Sequence, residues 1–382
     1  MKKSRQPLRV SFIYDDSLDG SEGVAQYVKT LGTWLSGRGH SVSYFVGETK
    51  IRSFGGSPVF SLAKNFKVTF NANKLSVPFP AKGSDIKAAI KDARPDVVHI
   101  QMPHSPLMAA KVINRLPATT ARIGTFHIFP ASKLVSIGSR LLRAAYLGNL
   151  SKIDKVVSVS PAAQSFAKSA FGLSTEVVPN MVDTSLFKTT TANIPGRIVF
   201  LGRLVPRKGA KQLIEAFALI TSRFPEAELI IAGAGAQSDE LKELCAKLGL
   251  EKKVQFPGFI KEEDKAPLLA SAAVACFPSL YGESFGIVLI EAMAAGSGVV
   301  IGGNNPGYTT VLNDRPQLLI DPTHTAEFAD RLATMLEEKA QAAAHHKWQT
   351  EEVGKYDVNV VGAKMESIYF EAIANRTIKR HN

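Results

Sequence analysis

Residues 273–302 read AVACFPSLYGESFGIVLIEAMAAGSGVVIG. The first five, 273–277, are small, apolar and strand-length, and they stop at a proline. Residues 285–295 form an apolar stretch long enough for a helix. Residues 299–302 are again short and β-branched. A strand, a helix and a second strand in so short a space form the crossover that joins two parallel strands.

The same alternation runs outward from this stretch in both directions. Strands are expected at 197–201, 228–232 and 253–256, with helices near 211–223, 239–248 and 262–272. It also occupies the first half, with strands at 8–14, 41–46, 96–101 and 123–127 and a helix at 24–36. Repeated strand–helix units imply parallel sheets flanked by helices, and two separate starts imply two sheets, hence an α/β chain of two domains. A length of 382 residues exceeds what one core sustains. Thr, Asn and Pro interrupt the apolar pattern at 184–195. The expected domains are therefore 1–188 and 189–355, with a final segment, 356–382, whose helix (359–374) turns back toward the first domain and whose tail (377–382) frays.

Hydrophobic residues make up 45% of the chain and charged residues 21%, a composition that folds. The two cysteines show no metal or disulfide spacing and read as buried thiols of a reducing compartment. Residues 1–9 are basic but run straight into a strand, which disfavours a signal peptide. The apolar stretches are broken by proline and glycine, so none reads as a membrane span. The protein is expected in the cytoplasm, free or on a membrane. The net charge of +12 lies entirely in the first half. Residues 1–188 hold 25 Lys+Arg against 11 Asp+Glu, and the remainder holds 21 against 23. That asymmetry points one domain at an anionic partner. No nucleic-acid recognition motif accompanies it, which argues against nucleic acid.

In open parallel sheets, ligands bind beyond the carboxyl ends of the strands. After the strand at 197–201 comes GRLVPRKG, 202–209. Here Arg203 and Lys208 suit a diphosphate, and glycines such as Gly202 allow close backbone approach. After 273–277 comes the loop with Glu283, then a helix starting at Phe285, whose first N–H groups form an anion site. Glu291 interrupts an otherwise apolar helix. Eight helical residues cover roughly 12 Å, so Glu283 and Glu291 are expected to bracket an extended ligand. In the first half, residues 15–27 carry a strand end into a helix, and His99 and His127 are read as ending two further strands. Lys133, Arg140 and Arg143 alternate with apolar residues in a pattern suited to an anionic bilayer, and Lys64, Lys67, Lys74, Lys82 and Lys87 extend the patch.

The segment GESFGIVLIEAMAAG, with Glu283 and Glu291 eight apart, resembles the signature of family 4 retaining glycosyltransferases. So do 202–209, Gly233-Ala234-Gly235, Pro257-Gly258-Phe259 and the linker 178–183, which has Met181 where glycine is usual. The resemblance implies the GT-B architecture, two Rossmann-like doubly wound domains facing a central cleft. It implies that Arg203 and Lys208 hold the donor's phosphates with backbone from Phe285, Gly286, Ile287 and Val288. Glu291 would then bind the ribose, Glu283 the transferred sugar, and Ile260 and Lys265, beside Gly258, the base. It also implies catalysis without metal or other cofactor. The first half is similar to bacterial phosphatidylinositol mannosyltransferases through Gly23-Val24 and Gln26, 68–71, Thr125-Phe126-His127 and 133–143. That similarity implies His127 near the reacting sugar, and Gly20, Gly23 and Gln26 near the acceptor's polar head. The expected reaction is transfer of a hexose, mannose from GDP-mannose, to a lipid such as phosphatidylinositol on the inner face of the cell membrane. The alternative is the same chemistry on a soluble or polysaccharide acceptor, with UDP-glucose as donor. Ser21-Glu22-Gly23, in place of a glycine pair, and 304–308 depart from that subfamily.

Overall fold

A computed structural model describes residues 6–20, 22–70, 73–103, 105, 107–128 and 150–381. The chain divides into two compact units, one of residues 1–181 with 358–382 and the other of residues 182–357.

The first unit holds β1 (Arg9–Tyr14), β2 (Ser41–Val46), β3 (Ser53–Phe54), β4 (Ser57–Ser61), β5 (Ala63–Phe70), β6 (Asn73–Ala81), β7 (Val97–Gln101), β8 (Ala121–Phe126), β9 (Lys155–Ser158) and β10 (Glu176–Val177). Eight of these form one sheet in the order β10-β9-β8-β7-β1-β2-β4-β3, parallel except for the β3–β4 pair. β5 and β6 make a separate antiparallel hairpin. Helices cover the sheet, and their ends follow local chemistry. The helix Pro161–Phe171 begins where Ser160 accepts the Ala163 N–H at 3.0 Å and Pro161 presets φ. It ends at Gly172 in the left-handed region, with φ 68°.

The C-terminal helix Val358–His381 belongs to this unit. Val361, Met365, Ile368, Tyr369 and Ala372 are spaced to share one helical face, and they join the core with Tyr27, Leu31 and Leu35 of the helix Gly23–Gly37. Helix runs past 377 and does not end at 374. Arg376 fastens it through Asp154 at 2.5 Å and the Ala118 carbonyl at 2.7 Å, and helix continues to His381.

The second unit holds β11 (Ile194–Leu201), β12 (Glu228–Ala232), β13 (Val254–Gly258), β14 (Ala272–Phe277), β15 (Val299–Gly303) and β16 (Leu319–Ile320), all parallel in the order β13-β12-β11-β14-β15-β16. Counted from β11, this is the 3-2-1-4-5-6 order of a dinucleotide-type doubly wound sheet. Its strands read as nearly continuous apolar runs because both faces are covered. The order reverses between β11 and β14. Ligands bind at such a switch point, and the loops that leave it are 202–209 and 278–286.

Among the described residues, no helix is long and apolar enough to cross a membrane.

Candidate active site

The loop after β11 makes a short 3-10 turn, Pro206–Lys208, that sets Arg207 and Lys208 side by side. The loop after β14 brings Glu283 to both. Its Oε1 lies 2.8 Å from Arg207 Nη1, 2.7 Å from Lys208 Nζ and 3.0 Å from the donating Ser279 hydroxyl. All three charged side chains are mostly buried, at 12–16% exposure. Burial alone would raise the Glu283 carboxyl, but Lys208 and Arg207 outweigh it and hold its pKa below the usual value. Burial pulls the Lys208 ammonium down; Glu283 opposes this while Arg207 and Arg203 add to it. Two cations thus flank one carboxylate, with the charge of Arg203 also felt at Lys208, and an anionic ligand relieves the positive excess.

The helix that follows spans Ile287–Ala295, two residues shorter at its start than the sequence suggests. The reason is Gly286, at φ 111°, a left-handed conformation that interrupts helix and that other residues rarely adopt. Phe285 therefore lies in the loop. The N–H groups left without intrahelical acceptors come from Ile287 and Val288. Because Glu283 also precedes the helix, the eight-residue helical span expected between the two acids does not apply. They are nonetheless separated by partner. Glu291 sits buried within the helix, 3.3 Å from Lys265 Nζ, and Lys265 also contacts Glu262 at 2.9 Å. Burial lowers the Lys265 pKa, but Glu291 and Glu262 overcome it and raise the net value, keeping the amine charged.

Gly202, Gly233 and Gly258 lie where β11, β12 and β13 end. Gly233 has φ 139°, and a Cβ there would stand 1.8 Å from the Gly202 carbonyl oxygen. Only glycine lets these two loops close on each other. Ile260 follows the β13 end half-buried, and Arg203 is exposed.

In the first unit, His127 follows the last residue of β8. Its Nε2 lies 2.7 Å from Gln101 Oε1, and since an amide oxygen only accepts, Nε2 carries the proton. Burial drops its pKa to about 3, so the ring is neutral. Tyr27 packs edge-on against it at 5.0 Å. Gln26 is half-buried in the first turns of the helix Gly23–Gly37, and Gly20 lies in the loop before it. His99 does not end a strand. It occupies the middle of β7, fully buried, with Nδ1 2.6 Å from the Tyr369 hydroxyl and Nε2 2.5 Å from Thr125 Oγ1. Its role is to tie the C-terminal helix to the sheet. Lys133, Arg140 and Arg143 lie outside the described residues, as do the side chains of Lys67 and Lys74; Lys64, Lys82 and Lys87 are described.

The sequence left unassigned Arg207, although it adjoins Lys208, as well as Glu262 and the Ser279–Tyr308 contact at 3.2 Å. The charge pattern of 206–208 could have marked Arg207. No local pattern links residues 29 apart.

Residues 183–351 match the family described as Glycosyl transferases group 1, and residues 21–186 match Glycosyltransferase Family 4. A phosphatidyl-myo-inositol mannosyltransferase of Mycolicibacterium smegmatis is 31% identical, the alignment covering 97% of this chain and 96% of the relative. A GDP-mannose-dependent alpha-(1-6)-phosphatidylinositol monomannoside mannosyltransferase of Mycobacterium tuberculosis is 26% identical over 90% of this chain and 94% of the relative. Among solved structures, sucrose-phosphate synthase from Thermosynechococcus elongatus aligns over 97% of this chain and all of its own, with TM-score 0.73 at 20% identity. Anabaena HepE in complex with UDP-glucose aligns over 95% and 99%, with TM-score 0.72 at 18% identity. With a near-full-length relative above 30% identity and the two-sheet architecture in place, the chain belongs to the family 4 glycosyltransferases of GT-B fold.

Proposed function

We propose that this chain transfers mannose from GDP-mannose to a lipid acceptor such as phosphatidylinositol, with retention at the anomeric carbon and without a metal ion. The observation that carries the donor assignment is the Glu283 carboxylate held between Arg207 and Lys208 at the switch point of the second sheet. Arg203 and Lys208, with the N–H groups of Ile287 and Val288, take the diphosphate and stabilise it as it leaves. Glu283 meets the transferred sugar, Glu291 the ribose, and Ile260 and Lys265 the base. Gln26, His127 and the Gly20–Gly23 loop serve the acceptor. The C1–O bond to phosphate breaks while the acceptor oxygen bonds C1 from the same face, and the acceptor's proton passes to the departing phosphate oxygen. The named activities of the mycobacterial relatives support mannose and the inositol lipid. The basic excess of the first half supports work at an anionic surface, the inner face of the cell membrane.

The test offers labelled GDP-mannose and UDP-glucose in turn, with phosphatidylinositol vesicles or soluble glycans, in the presence and absence of EDTA. Label in lipid from GDP-mannose, unaffected by EDTA, is the expected result. Label only in soluble glycan, or only from UDP-glucose, overturns the substrate assignment, and loss with EDTA overturns metal independence.

A further inference from the structure

The segment after β15, Asn305-Pro306-Gly307-Tyr308, has no assigned part in the site, yet it closes on the Glu283 loop at several points. Tyr308 is 1% exposed, and its hydroxyl lies 3.2 Å from Ser279 Oγ. Ser279 is equally buried and spends its one hydroxyl proton on Glu283 Oε1 at 3.0 Å. The contact between the two hydroxyls can then run in only one sense, with Tyr308 O–H donating to Ser279 Oγ. Burial, with Glu283 close by, drives the phenol well above its usual pKa, so that proton stays in place. The tyrosine is itself fixed. Its N–H donates to Asn305 Oδ1 at 3.1 Å, and Asn305 Nδ2 donates to the Ser279 carbonyl at 3.0 Å. Its ring fills the space a side chain at Gly286 would need, a Cβ there standing 2.7 Å from Tyr308 Cδ1. Gly307 lies so close to the Glu283 backbone that a Cβ would come within 2.4 Å of that carbonyl oxygen.

We propose that Tyr308 is a positioning residue, acting through Ser279 to fix the direction of the Glu283 carboxylate and so the fit of the transferred hexose. Arg207 and Lys208 supply charge but hang on long, rotatable stems, whereas Ser279 and Tyr308 are short or ring-locked and set an angle. This proposal rests on the reading that Glu283 faces the sugar.

The test is a double-mutant cycle of Tyr308→Phe and Ser279→Ala, measured as kcat/KM with the nucleotide sugar and as Kd for the free nucleoside diphosphate. Tyr308→Phe keeps the ring and its packing and removes only the hydroxyl. Each single variant should lower kcat/KM about tenfold with unchanged Kd for the diphosphate, and the double variant should be no worse than Ser279→Ala alone. Additive losses, or a Tyr308→Phe variant as active as wild type, overturn the relay. Glu283→Gln separates this from the underlying reading. If it loses turnover while Tyr308→Phe does not, only the relay fails; if Glu283→Gln turns over normally, the sugar-facing assignment fails with it.

Discussion

A carboxylate oxygen that accepts from a guanidinium, an ammonium and a hydroxyl is fixed in direction and in charge. Glu283 stays ionised through the neutral range because Lys208 and Arg207 outweigh its burial. Glu283→Gln keeps the shape and discards the charge, leaving both cations without their counter-ion. Turnover should fall about 100-fold, as for loss of one charged transition-state contact, while the circular-dichroism spectrum is retained; unchanged turnover refutes the role. The histidines predict a pH effect instead. His99 and His127 titrate near 6.5 when unfolded and near 3 in the folded protein, both through burial. Between those values the unfolded chain takes up protons that the folded chain refuses. Their contribution is complete above about pH 6.5 and declines as the pH falls toward 3, by about 1.4 kcal/mol per pH unit for each ring. Asp15 works in the opposite sense between 3.8 and about 6, since burial raises its carboxyl in the folded state. Urea unfolding at pH 7 and pH 5 should show His127→Asn losing about 2 kcal/mol less than wild type on acidification. An equal loss would mean the ring is not buried as a neutral group.

At the scale of elements, the strand ends and the glycines that close them shape the proposed donor site. Gly233→Ala puts a methyl group 1.8 Å from the Gly202 oxygen at φ 139°. The backbone must shift, so a loss of roughly 3 kcal/mol in stability is expected together with weaker nucleotide binding. Gly37→Ala, with nothing within 4 Å of the new methyl and a helical setting, should instead be neutral or raise stability by up to about 1 kcal/mol. Thermal melts of the two variants check both outcomes. The strands of the second sheet were legible from short apolar runs broken by Gly and Pro, and Lys208 and Glu283 from their place just beyond those runs. The helix start was not. Phe285 continues an apolar run, and periodicity carries no sign that Gly286 takes a left-handed φ. His99 misled for a different reason: the expected strand at 96–101 already set it two residues short of the end, and its bonds to Tyr369 and Thr125 show that both nitrogens are engaged within the core. The Tyr308–Ser279 contact was illegible because it depends on which strand ends become neighbours, β14 and β15, and sequence distance hides that.

At the scale of the whole molecule, two parallel sheets divide the labour unevenly in charge. The switch point of the second sheet lies in the half with a balance near zero, and the basic excess lies in the other. The excess predicts binding to vesicles containing anionic lipid that weakens as salt rises from 50 to about 300 mM, with Arg140→Glu and Arg143→Glu weakening it further. Flotation that is insensitive to both removes the electrostatic basis for a membrane acceptor. The donor assignment stands independently of that result. It is tested most directly by calorimetric titration of GDP and of UDP into wild-type protein and Lys208→Ala. Submillimolar binding of a nucleoside diphosphate by wild type, weakened at least about tenfold in the variant, is the predicted result; no binding of either nucleotide, or equal affinity in both proteins, would contradict a donor site built on the β11 and β14 loops.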